Sequence, residues 1–154
     1  MNRQSYIDRK RVISGRMFFV ALFLIAGSMS QPALAADIKV TNARIVLPKD
    51  DSITMPGYLT LENLTDKEII LIKIRSRSFK LSMIHQSISD RGNPRMVLKP
   101  ELLIKPKAKV VMKPGDVHFM FAGANGKLKK GKKVSVNLYL NTGDKMPVEF
   151  ELVK

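Results

Sequence analysis

From residue 38 to the C-terminus, apolar and polar positions alternate with a period of two. Val134, Val136, Leu138 and Leu140 are interleaved with Ser135, Asn137, Tyr139 and Asn141, as expected for a strand with one face buried and one wet. Thr142-Gly143-Asp144 turns the chain, and Val148, Phe150 and Leu152 then alternate with Glu149 and Glu151. The two runs predict a C-terminal hairpin. Further strands are expected over Ile38–Val46, Gly57–Asn63, Ile69–Arg75, Lys80–Ser87, Arg95–Lys99, Lys109–Met112 and Val117–Phe121. Segments rich in Pro, Gly, Asn and Asp punctuate them, such as Asp90-Arg91-Gly92-Asn93-Pro94 and Pro114-Gly115-Asp116. Eight or nine short strands at this spacing predict an all-β Greek-key sandwich or barrel.

The first 35 residues follow a different pattern. Five basic residues (Arg3, Arg9, Lys10, Arg11, Arg16) and one acid (Asp8) precede an apolar run from Met17 to Met29. Ala33-x-Ala35 then offers a small-residue cleavage site. This is the order of a secretory signal peptide. The apolar run contains Gly27 and Ser28 and is shorter than the roughly 20 residues a membrane span needs. Residues 1–35 are therefore expected to be a cleaved signal and residues 36–154 a single domain, exported from the cytoplasm. After cleavage, 22 basic and 12 acidic residues remain, so the net charge falls from +14 to +10.

Composition narrows the chemistry. The 154 residues hold no Cys, no Trp, two His and nine Met. Without Cys there is no disulfide scaffold, thiolate nucleophile, iron–sulfur cluster, Cys-ligated zinc or blue-copper centre. Both histidines, His85 and His118, fall in the β-patterned region, in the order His85-x10-Met96-x21-His118-x-Met120. On an extended strand, residues two apart share a face, so His118 and Met120 point the same way. His85 and Met96 flank the Asp90–Pro94 turn. Two imidazoles and two thioethers brought together form a soft donor set that favours Cu(I) over magnesium, calcium or zinc. The alternative for each residue alone is structural: Met fills irregular core gaps and His often serves only as a hydrogen-bonded polar residue.

That ligand spacing resembles the pattern of the periplasmic copper chaperones called PCu(A)C, and the likeness extends beyond it. Gly57-Tyr58-Leu59-Thr60-Leu61-Glu62-Asn63 resembles the family's early strand ending in Asn. Lys113-Pro114-Gly115-Asp116-Val117-His118-Phe119-Met120 is similar to its Pro-Gly-Gly-x-His-x-Met segment, and Leu128-Lys129-Lys130-Gly131-Lys132-Lys133-Val134 to its entry into the last hairpin. The resemblance implies a cupredoxin-like β-barrel that binds one Cu(I) through His85, Met96, His118 and Met120. It also implies ligand exchange, not catalysis, as the mechanism. The implied partners are a cytochrome c oxidase subunit receiving the copper and a thiol-bearing copper assembly factor that manages the acceptor's redox state.

Departures from the pattern are specific. Asp116 stands where the family has a second glycine, which could alter the turn presenting His118, and no Met-rich or His-rich tail follows Leu152. Met83, two residues before His85, shares its face on a strand and is either an auxiliary thioether or, the favoured reading, a packing residue; Met55 and Met112 are expected in the core. Lysines cluster at 127, 129, 130, 132 and 133 and recur at 105, 107, 109 and 113. They are expected to be a solvated face that guards strand edges. The functional alternative is a surface that steers toward an acidic partner or an anionic membrane. No nucleic-acid-binding motif is present, and nucleic acid is not expected. The competing function is a metal-free exported β-sandwich acting through its basic face. An enzyme is not expected, because no Ser/His/Asp or paired-carboxylate constellation is evident.

Overall fold

The computed structural model describes residues 37–49 and 52–154; the expected signal peptide lies outside them. Among the described residues there are ten strands and no helix. They are β1 (Ile38–Val46), β2 (Thr54–Asn63), β3 (Ile69–Arg75), β4 (Phe79–Asp90), β5 (Asn93–Leu98), β6 (Leu102–Ile104), β7 (Lys109–Val111), β8 (Val117–Ala124), β9 (Lys133–Leu140) and β10 (Lys145–Val153).

Nine of these were expected, two with identical bounds. The tenth, β6, was not. Leu102-Leu103-Ile104 is three apolar residues in a row, with no visible alternation, yet Leu102 and Ile104 are buried and Leu103 is exposed. Its strand character comes from pairing with Ile69–Leu71 of β3, a partner that no local pattern announces.

All strands join one sheet in the order β5-β4-β8-β2-β1-β10-β9-β3-β6, with β7 added to β2. Neighbours run antiparallel except β1 and β10, which are parallel. The expected C-terminal hairpin is present, with Tyr139 opposite Lys145 and Leu138 opposite Met146. β2 shares one edge between two partners: Thr54–Gly57 pair with β8 and Thr60–Glu62 with β7. Its long buried run, Gly57 to Leu61, reflects that central place.

The core is a single apolar cluster in which Phe119, Phe121 and Phe150 pack ring against ring at 6.1–6.3 Å. Met55 and Met112 are buried in this cluster, as expected. Gly57 is what lets β2 lie against it: a Cβ here would stand 2.5 Å from Cε2 of Phe121. At the far end of β2, Asn63 is fully buried and ties two turns to the sheet. Its Nδ2 donates to the carbonyls of Lys67 (2.7 Å), Ile104 (3.1 Å) and Lys105 (3.2 Å). Its Oδ1 accepts from the amide and hydroxyl of Thr65.

Candidate metal site

The site is built on one face of β5, β4, β8 and β2. Phe119 and Phe121 point into the core, and they pair with Ile84 and Ser82 of β4. The residues between them must face the other way. The register sets His85 directly opposite His118 and Met83 directly opposite Met120. Cross-strand partners share a face with their Cβ atoms about 4.5–5.5 Å apart, so these four side chains form a two-by-two block. Pro56 pairs with Met120 on the same face.

Within that block the histidines face each other, with ring centroids 5.9 Å apart and planes at 78°. A metal-bound imidazole nitrogen lies about 2.0–2.1 Å from its ion, which puts the ring centroid about 3.2 Å away, so two rings sharing one ion sit no more than about 6.4 Å apart. The observed separation falls inside that limit. His118 is almost completely buried, at 3% exposure. Its Nδ1 lies 2.9 Å from the carbonyl oxygen of Asp116. A carbonyl can only accept, so Nδ1 carries the proton and Nε2 keeps its lone pair, the usual arrangement for a metal-binding histidine held by its neighbours. His85 is half-buried. Its Nδ1 is sealed from solvent and has no hydrogen-bond partner among the described residues. Leaving such an atom unpaired costs on the order of 1–3 kcal/mol, a deficit that a bound cation relieves. Burial, and after it the nearby His118, pull the His85 pKa below 6.5. Its imidazole is therefore kept neutral, the form that binds metal.

The turn before β8 explains how Asp116 substitutes for a glycine. The amide of Asp116 donates to the carbonyl of Lys113 at 3.2 Å, and Gly115 has φ +80°. With Pro114 at the second position and Gly115 at the third, this is a type II turn, which demands positive φ only at the third. Asp116, the fourth residue, has ordinary backbone angles. Its carboxylate accepts from the Val117 amide at 2.8 Å, while its carbonyl holds His118. The substitution leaves the presentation of that histidine intact.

Met120 lies beside both histidines. Met96 lies on the same face but one strand farther out, opposite Ser87. The Asp90–Pro94 segment is a tight hairpin in which Arg91 and Gly92 alone connect paired Asp90 and Asn93. Met96 is therefore a diagonal neighbour of His85 and is 64% exposed. The structure thus gathers His85, His118 and Met120 closely, and places Met96 at the rim. Leu98 is directly opposite His85 and 63% exposed, so the rim is apolar.

One contributor escaped the sequence reading. Tyr58 packs its ring 6.2 Å from His118 and carries the Arg44 guanidinium 5.3 Å above it. Burial raises the Tyr58 pKa, an effect that Arg44 partly opposes. Strand pairing put Tyr58 there, and pairing leaves no local trace in sequence. Met83, which its two-residue spacing from His85 had already set on the histidine face, stands there opposite Met120. Among the described residues no three His, Asp or Glu side chains gather into a metal-binding group; donors beyond the histidine pair are thioethers.

A family model, LpqE-like, described as a lipoprotein family, matches residues 38–152. A search of curated protein sequences gives no match. Among solved structures, the copper-bound PCuAC domain from PmoF2 superposes with a TM-score of 0.64 at 16% identity, over 75% of this chain and 92% of that one. The apo PCuAC domain from PmoF1 gives 0.63 at 19%, over 76% and 93%. Cu(I)-DR1885 from Deinococcus radiodurans gives 0.63 at 22%, over 79% and 82%. At these identities the likeness establishes the fold, which is the all-β, cupredoxin-like architecture of PCuAC domains.

Proposed function

The chain belongs to the LpqE-like family, and from that premise and the paired histidines we propose that it is a Cu(I)-binding metallochaperone. The observation that carries this reading is the facing His85–His118 pair. One nitrogen is orphaned, the other ring is locked in the tautomer that frees Nε2, and thioethers flank both. His85, Met96, His118 and Met120 are the proposed ligands. Thioether sulfur favours Cu(I) over Cu(II), and two of the similar solved structures are described as copper-bound and Cu(I)-bound.

Delivery follows from exposure. His118 is buried and fixed, whereas Met96 stands at an apolar rim beside Leu98. An incoming ligand can displace the exposed thioether first and share the metal before the histidines let go. The protein acts by ligand exchange and is not an enzyme. The acceptor we propose is the copper centre of a cytochrome c oxidase subunit, with a thiol-bearing assembly factor supplying the reduction that a chain without Cys cannot perform.

The proposed location is the periplasm, reached by a signal peptide over residues 1–35. The lipoprotein description of the family accords with export. None of the 154 residues is a cysteine, so none here can carry a thioether-linked lipid.

A cleft of about 630 Å³ next to Leu81 and Ser82 of β4, apart from the lysine clusters at 105–113 and 127–133, is a further basic surface that would suit docking. Lys73, Arg75, Arg77, Lys80 and Lys145 line it, with no acidic residue. Such a field steers an acidic partner toward the neighbouring metal face.

Titration of the purified protein with Cu(I) against a competing chelator tests the reading. Wild type should retain one Cu(I) and the double variant His118→Ala/Met120→Ala should not; equal, weak uptake by both refutes it. Oxidase activity measured under copper limitation in a deletion strain tests the acceptor.

A further inference from the structure

Met83 is a nearest neighbour of three proposed ligands at once. It faces Met120 across the β4–β8 ladder, lies two residues from His85 on the same strand face, and is diagonal to His118. Met96 has only one such neighbour, His85, and lies two strands from His118 and Met120. Diagonal cross-strand Cβ atoms are about 7–8 Å apart, within reach of a methionine side chain, whereas Met96, opposite Ser87, lies two strands across and four positions along from Met120, opposite Met83. The side chain of Met83 is half-buried on the histidine face, and the core is filled by the opposite face of β4, at Ile84. Packing the apolar core therefore does not account for a thioether at this position.

We propose that Met83 is a third thioether for the same Cu(I), so that His85, His118, Met120 and Met83 form the inner donor set and Met96 is the outer, exchangeable one. The proposal rests on the copper-chaperone reading and makes a distinct claim within it. With a thioether on the inner side, the ion keeps a soft environment when Met96 swings away toward an acceptor. The holding of the metal and its release are then assigned to different methionines. Two thioethers and two imidazoles complete a four-donor set, and the sulfurs bias it toward Cu(I).

The test compares wild type, Met83→Leu and Met96→Leu, because leucine keeps the volume and apolar character and removes only the sulfur. X-ray absorption on the Cu(I)-loaded proteins should show two sulfur scatterers in wild type and in Met96→Leu, and one in Met83→Leu. Competition with a chromophoric Cu(I) chelator should show Met83→Leu weakened by about tenfold, equivalent to 1.4 kcal/mol, and more than Met96→Leu. In stopped-flow transfer to the chelator, Met96→Leu should change the rate and Met83→Leu chiefly the equilibrium. Far-UV circular dichroism checks that each variant is folded. Two sulfurs in Met83→Leu, with that variant binding Cu(I) as tightly as wild type, overturn the role of Met83 and leave the chaperone reading standing. A wild-type protein that retains no Cu(I) overturns both.

Discussion

Replacing Asn63 with Ala should be the most damaging single polar substitution in the domain, and the structure allows its cost to be worked out. Asn63 is 0% exposed, and its amide bridges the turn after β2 to the segment after β6 through five hydrogen bonds. Not all five acceptors and donors are stranded by the change. The carbonyl of Lys105 still receives the amide of Ala108, and that of Lys67 still receives the hydroxyl of Thr65. The carbonyl of Ile104 keeps its place in the ladder opposite Ile69, so the amide of Thr65 is the group left without the partner that Asn63 supplied. At about 1–3 kcal/mol for a group left unpaired away from water, the loss should be about 1–3 kcal/mol. With a urea m-value of about 2 kcal/mol/M for a domain of this size, the unfolding midpoint should fall by about 0.5–1.5 M. Far-UV circular dichroism against urea measures it. The proposed metal face is on another part of the sheet, so Cu(I) affinity of the folded variant should match wild type. A loss below about 0.5 kcal/mol would show that water replaces the amide and that this network does not hold the turns.

Three further outcomes are expected. Gly57→Ala should cost about 1–3 kcal/mol by overpacking, since the new Cβ meets the Phe121 ring at 2.5 Å; combining it with Phe121→Leu should cost less than the two changes summed, as seen by urea midpoints. Gly115→Ala adds a Cβ in open space but at φ +80°, so about 1–2 kcal/mol of left-handed backbone strain should appear as lost stability. It should also weaken Cu(I) binding more than Gly143→Ala, a matched positive-φ site in the β9–β10 turn. For pH, the folded-state pKa of His85 lies below the 6.5 of the unfolded chain. On acidification below 6.5 the unfolded chain takes a proton that the folded one refuses, so His85 makes the protein lose stability as pH falls. Urea midpoints of the metal-free protein between pH 7.5 and 5 should therefore decline more steeply for wild type than for His85→Gln.

Much of this protein was legible along the chain. Alternation located nine of ten strands, because a strand buried on one face writes its period of two into the sequence, and the C-terminal hairpin came with its turn. The scarcity of donors was legible too: with no Cys and two His, any soft-metal site had to draw on His85, His118 and nearby methionines. The resemblance to PCu(A)C proteins supplied the order of the four proposed ligands. What sequence could not give is register. That Met83 lies opposite Met120, whether Met96 is central or at the rim, and that Leu102–Ile104 is a strand at all, depend on which residue lies opposite which. Pairing is fixed by the summed burial of distant segments, not by local preference. The same holds for the turn at Asp116, where the departure from Pro-Gly-Gly looked disruptive. Only the folded turn shows that positive φ is demanded of Gly115 alone, leaving Asp116 free to present its carbonyl to His118. Sequence determined which atoms were available to bind a metal, and tertiary pairing decided which of them meet.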